Sequence, residues 1–97
     1  MAEVHFHPEA HAEFLSSLAW YGSRSLRAAE RFLAEVERVV GQIADQPDFY
    51  PRYDNYHRFA VLRRFPFSVV YQDLPSQVYV VAIAHSSRSP GYWQSRS

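Results

Sequence analysis

The chain has 97 residues, enough for one small domain and too few for two. Hydrophobic residues make up 47% and aromatic residues 16%, which is too apolar for a disordered chain. Cysteine is absent, which excludes a disulfide scaffold and any thiolate metal site, and ten acids balance ten arginines to a net charge of zero.

Val4-His5-Phe6-His7 alternates roughly and ends at Pro8, the pattern of a first strand. Pro8 suits the first turn of a helix, with Glu9 at the positive end of its dipole. Phe14, Leu15, Leu18 and Tyr21 then recur at helical spacing until Gly22-Ser23. Ser25 is placed to cap a second helix, whose stripe runs through Leu26, Ala29, Leu33, Val36, Val40 and Ile43. Asp45-Gln46-Pro47 ends that helix, and the short link between the two predicts a helical hairpin. Residues 47–56, PDFYPRYDNY, read as an ordered loop packed by its own rings.

Three strands follow. Arg58 to Phe65 is predicted as one and Phe67 to Asp73 as the next. After a turn at Leu74-Pro75-Ser76-Gln77, Val78 to His85 is apolar on both faces, which places it centrally in its sheet. The tail, SSRSPGYWQSRS, is irregular. The N-terminus lacks the basic and apolar runs of a secretory signal, and no stretch nears the ~18 apolar residues of a membrane span. Residues 1–50 carry four arginines against eight acids, and residues 51–97 carry six against two. This asymmetry predicts an acidic helical side and a basic strand side.

The order β-α-α-β-β-β and the local wording together resemble the RelE/ParE toxin superfamily. The residues that carry the likeness are Arg64, Phe65-Pro66-Phe67, Val69-Val70-Tyr71, Ala82-Ile83-Ala84-His85, Arg88, Pro90 and Tyr92-Trp93. The first half agrees more loosely, through Pro8, Trp20-Tyr21 and the proline-containing loop. The resemblance implies an α+β fold, a twisted antiparallel sheet with a helical hairpin packed on one face, formed by residues 1–97 as a single domain. It also implies a cytoplasmic toxin of a bacterial type II toxin–antitoxin system, of the kind linked to plasmid stabilisation. A cognate antitoxin would bury apolar surface of the toxin in a hetero-oligomer.

Two targets follow from the same resemblance. ParE-like members inhibit DNA gyrase and have no enzymatic activity. RelE-like members are metal-independent endoribonucleases that cut mRNA in the ribosome. A third alternative is a non-toxic, binding-only member. Neither toxic mode requires a cofactor. Metal-free RNA cleavage needs a base, cations for the phosphorane and an acid for the leaving oxygen. If the chain is a nuclease, the catalytic candidates are Arg64, His85, Arg88 and Tyr92. Arg63 and Arg64 would point to opposite faces of a strand, and the family pattern favours Arg64. The same residues have plainer roles open to them. His85 can cap the strand end, Arg88 can pair with an acid, and Tyr92 and Trp93 can lay the tail on the core. The zero net charge argues against a ribosome-bound protein, because counterion release rewards many basic contacts. The aromatic loop suits a protein-facing surface, so the ParE-like reading is favoured. His5, His7 and His11 invite a metal reading, but a site needs three or four converging ligands, so a solvent-facing edge strand is the favoured reading and no metal site is expected.

Overall fold

A computed structural model describes residues 2–97. The elements are β1 (Val4–Phe6), α1 (Pro8–Gly22), α2 (Leu26–Asp45), β2 (Arg58–Val61), β3 (Phe67–Leu74) and β4 (Gln77–His85), in the expected order. The sheet order is β1-β4-β3-β2. β2, β3 and β4 pair antiparallel as expected, and β1 adds a parallel pairing to β4, with Val4 opposite Val78 and Phe6 opposite Val80. The parallel pairing follows from topology, since the hairpin of helices carries the chain from one end of the sheet back to the other before β2 begins. Among the described residues no helix is long and apolar enough to cross a membrane.

Both helices start on side-chain caps. The His7 ring accepts the Glu9 N–H at α1, so this histidine is committed to helix capping. Ser25 Oγ accepts the Ala28 N–H at α2. The amphipathic stripe of α2 buries Ala29, Phe32, Val36, Val39 and Ile43. Phe32 is the hub of this layer, with the rings of Phe14, Tyr21, Phe65 and Phe67 centred 5.1–6.0 Å from its own. The sheet answers with Val69, Tyr71, Val78, Val80 and Ile83.

The opposite face of the sheet is also covered. Val70, Val81 and Ala82 form a second cluster under Trp93, which is only 3% exposed. This explains why β4 is apolar on both faces. Gly91 makes the turn that brings Trp93 over the sheet. Its φ is 75°, and a Cβ there would lie 2.5 Å from Gln94 Oε1.

The aromatic loop is ordered, but chiefly by a carboxylate. Asp54 accepts the N–H groups of Tyr56 and His57, the His57 ring Nδ1 and the Gln94 side chain. His57 is itself buried, edge-on to Trp93 at 4.7 Å. Its Nε2 lies 3.4 Å from the Gln72 amide nitrogen. With Gln72 donating there, Nδ1–H is left to donate to Asp54. Tyr71 donates its hydroxyl to the Pro47 carbonyl, and Arg58 reaches the Tyr50 carbonyl. Phe49 and Tyr56 remain exposed.

One predicted strand is too long. The alternation of Arg58 to Phe65 suggests eight strand residues, yet β2 ends at Val61. Leu62 still bonds back to Phe67, but the chain turns beyond it, and the Arg63 N–H donates to Glu35 of α2 at 2.6 Å. Arg64 takes a left-handed φ of 66°. Arg63 and Arg64 therefore do not face opposite sides of a strand; both sit in the β2–β3 turn beside α2.

Two outcomes test this layer. Burial works to raise the Asp54 carboxyl, but the hydrogen bonds from Gln94, Tyr56 and His57 outweigh it and bring it from 3.8 down to about 2. Its contribution is thus complete above pH ~4 and is lost as the pH falls through about 2. Asp54→Asn should cost about 1–2 kcal/mol at neutral pH, discounted for the part of the side chain that water reaches. Urea titrations at several pH values should show the wild-type advantage shrinking between pH 4 and 2. Gly91→Ala should cost at least about 1 kcal/mol from its backbone conformation, with a matching loss of near-ultraviolet signal from Trp93.

Candidate functional site

The strand β4 carries the feature that builds the site. Val70 pairs with Ala82 and Tyr71 with Val80, so Val81 is an extra residue, a β-bulge. A regular strand would place Ile83 and His85 on the face of Tyr79, away from the helices. The bulge reverses the parity. Ile83 joins Val78 and Val80 in the helix-side core, and His85 stands edge-on to Phe67 at 4.9 Å.

β1 reaches only as far as Val80, so the outer edge of β4 beyond it has no strand partner. Side chains take its place. The Ile83 N–H donates to Glu13 of α1 at 3.0 Å, and the Val81 carbonyl accepts from Arg96 at 3.0 Å. Glu13 also accepts two N–H groups of Arg96, each at 3.0 Å, and the Tyr92 hydroxyl at 2.7 Å. Arg96 is 9% exposed at its side chain and Glu13 16%. Arg88 lies over the Tyr92 ring at 3.9 Å and approaches Glu13 at 3.9 Å. Arg96 also comes within 3.8 Å of Glu9.

These groups line an open cleft of about 400 Å³ between α1 and the end of β4. An adjoining hollow of about 410 Å³, lined by Trp20, Tyr21 and Pro66, shares Ser16, Ser17, Phe67 and His85 with it. Three of the four sequence candidates, His85, Arg88 and Tyr92, therefore meet in one cleft. Arg64 does not join them. It lines a different groove, against α2, which has no lining residue in common with the first.

Each of the three is engaged internally. His85 Nδ1 accepts from the Ser87 N–H at 3.0 Å, so in the neutral ring the proton sits on Nε2. The nitrogen free to face the cleft is then a donor, not a base. Burial pushes the Tyr92 hydroxyl well above its usual range, and the Glu13 carboxylate it bonds to pushes it further. Arg96 is raised chiefly by its hydrogen bonds to Glu13. Arg88 and Arg96 face Glu13 and Glu9, so the cationic charge of the cleft is largely offset.

Glu13 and Arg96 were not candidates from sequence. One signal was present: Glu13 falls between Ala10 and Ser17 at helical spacing, a carboxylate on the inward stripe of α1 that needs a partner. Arg96, in a polar tail, carries no such mark. Removing Glu13 would strand a buried guanidinium, a hydroxyl and an amide together. Glu13→Ala should therefore destabilise the protein by about 3 kcal/mol in urea denaturation. Glu13→Gln should retain part of that, since an amide oxygen still accepts. The two variants should also release the tail, seen as faster hydrogen exchange at Ile83.

The family model described as ParE toxin of type II toxin–antitoxin system, parDE, matches residues 4–90. No curated protein matches the chain. Among solved structures it is similar to one titled as the chromosomal ParDE toxin–antitoxin system from P. aeruginosa. That likeness has a TM-score of 0.62 at 20% identity, over 88% of this chain and 96% of that one, and speaks to the fold. With this architecture and a match that runs from β1 to Pro90, the chain belongs to the ParE toxin family of type II toxin–antitoxin systems.

Proposed function

We propose that this toxin acts by binding, as a ParE-like inhibitor of DNA gyrase, and cuts no RNA. The observation that carries the reading is the commitment of the cleft. Glu13 accepts from Ile83, Tyr92 and Arg96, and His85 Nδ1 accepts from Ser87. A metal-free nuclease needs a free base and uncompensated cations near it. In this reading His85, Arg88 and Tyr92 fasten the end of β4 and the tail, and Arg64 shapes the β2–β3 turn. No metal or cofactor is invoked.

An antitoxin is the expected partner in such a system. The hairpin offers it apolar surface, with Leu15 49%, Trp20 53% and Leu26 74% exposed. We assign the antitoxin to this surface, in a hetero-oligomer with the toxin. Action on gyrase places the protein in the cytoplasm, with residues 1–97 acting as one domain.

The decisive comparison pairs two assays on the purified chain. Gyrase-driven supercoiling of a relaxed plasmid should be inhibited, while mRNA in a translating ribosome extract should stay intact. His85→Ala and Arg88→Ala should leave that inhibition within about threefold of wild type once their stability is matched. Ribosome-dependent mRNA cleavage that disappears in both variants would sink the binding reading and install the nuclease. Inactivity in both assays, with the fold intact and the antitoxin still bound, would identify a binding-only member.

A further inference from the structure

The groove that receives Arg64 lies between α2 and the β2–β3 turn and has a volume of about 670 Å³. Five arginines line it: Arg27, Arg31 and Arg38 from α2, and Arg63 and Arg64 from the turn. Its one carboxylate, Glu35, already accepts two bonds from Arg38 and one from the Arg63 backbone. Arg27, Arg31, Arg63 and Arg64 are exposed. Among the described residues their side chains make no ion pair or hydrogen bond. In a chain with zero net charge this is a strong local excess of positive charge.

Two further features of the groove are locally unfavourable. The N-terminus of α2 opens into the groove at Ser25 and Ala28, and its first turn contains no acid. Arg27 sits there instead, a cation against the positive end of the helix dipole. Arg64 holds a left-handed backbone that an arginine adopts at a cost of about 1–2 kcal/mol. The groove thus collects positive charge from side chains and a helix end, and an anion would relieve both together.

The spacing points to an extended anion. Arg27 and Arg31 stand one turn apart on α2, roughly 6 Å along its axis, with Arg63 and Arg64 beside them on the turn, while Arg38, further along the same stripe, is held by Glu35. Four free guanidinium groups carry more charge than a single phosphate neutralises. The groove has few apolar anchors besides Phe65 and the alanines, so an acidic peptide would have little to hold it beyond charge. A stiff duplex presents its phosphates already in line and loses little freedom on binding.

We propose that the groove of Arg27, Arg31, Arg63 and Arg64 is a binding site for the phosphodiester backbone of duplex DNA, without base recognition. This goes beyond the gyrase reading and does not depend on it. The test is fluorescence anisotropy of a labelled 20-base-pair duplex with the purified full chain, titrated over a range of salt. Binding should weaken with salt on a double-logarithmic slope of about −4, one increment for each engaged arginine. Arg27→Gln with Arg31→Gln should weaken binding at least tenfold and reduce the slope by about two. Both positions are exposed and Arg27 opposes the helix dipole, so the urea midpoint should be unchanged or slightly higher. Arg64→Gly removes a cation while relieving backbone strain. It should lose affinity several-fold with equal or greater stability, which separates a binding role from a folding role. No binding at low salt would overturn the proposal. So would an unchanged slope in the double variant, or tighter binding of single-stranded RNA or polyglutamate of equal charge. Loss of DNA binding in the double variant with supercoiling inhibition intact would leave the groove a DNA site separate from gyrase inhibition.

Discussion

The structure depends on how the uncovered edge of β4 is satisfied. β1 is three residues long because Pro8 turns the chain into α1, so it pairs with β4 only to Val80. Beyond that point a central strand would carry unpaired backbone groups, each costing about 1–3 kcal/mol if buried. Glu13 and Arg96 fill the gap from two directions, one from α1 and one from the last turn of the tail. Their mutual ion pair lets both be nearly buried. The arrangement has a wider consequence: an arginine held at the edge of β4 holds the tail, and the tail carries Trp93 over the far face of the sheet. A polar solution on one edge thereby secures an apolar layer on one face.

The bulge at Val81 decides which way this edge looks. It turns Ile83 and His85 toward α1 while leaving Val81 and Ala82 under Trp93. Without it, Ile83 would leave the helix-side core and His85 would face the tail. The cleft beside α1 therefore comes from one extra residue in one strand. Cost and benefit both fall on the ladder. The bulge interrupts pairing with β3 near the point where β1 gives out, and the side-chain clamp restores partners on the other edge.

Much of this was legible in the sequence. The helices, their caps and the order of elements follow from local signals, namely apolar periodicity, Ser25, and proline or glycine at the ends. The double-sided apolarity of β4 correctly announced a buried central strand. The bulge within it was invisible, because Val-Val-Ala reads as core on either face. β2 was overextended because alternation continues through Leu62 and Arg63, and the bond from Arg63 to Glu35 that ends the strand joins residues far apart in the chain. Charge was misplaced for the same reason. The two halves differ in sign along the sequence, but Arg88 and Arg96 fold back onto glutamates of the first half. Arg27 and Arg31 of the acidic half meet Arg63 and Arg64 of the basic half. The basic surface is a groove built from both halves.

This division of charge bears on why one fold can serve unlike mechanisms. The residues from His85 to Trp93 lie where the last strand must be finished and the tail attached. A stacked arginine, a tyrosine on a carboxylate and a buried tryptophan are a good answer to that mechanical need. The need is the same whatever the outer surface does. A motif of this kind can recur in members with different targets, because its first duty is architectural. The surfaces that remain free to diverge are those the clamp does not use: the exposed leucines and tryptophan of the hairpin, the edge of β2, and the arginine groove on α2. None of these lies between His85 and Trp93. Differences in target between members should therefore be sought on α2 and the β2–β3 turn, where side chains are exposed and charge is left uncompensated, before they are sought at the histidine that ends β4.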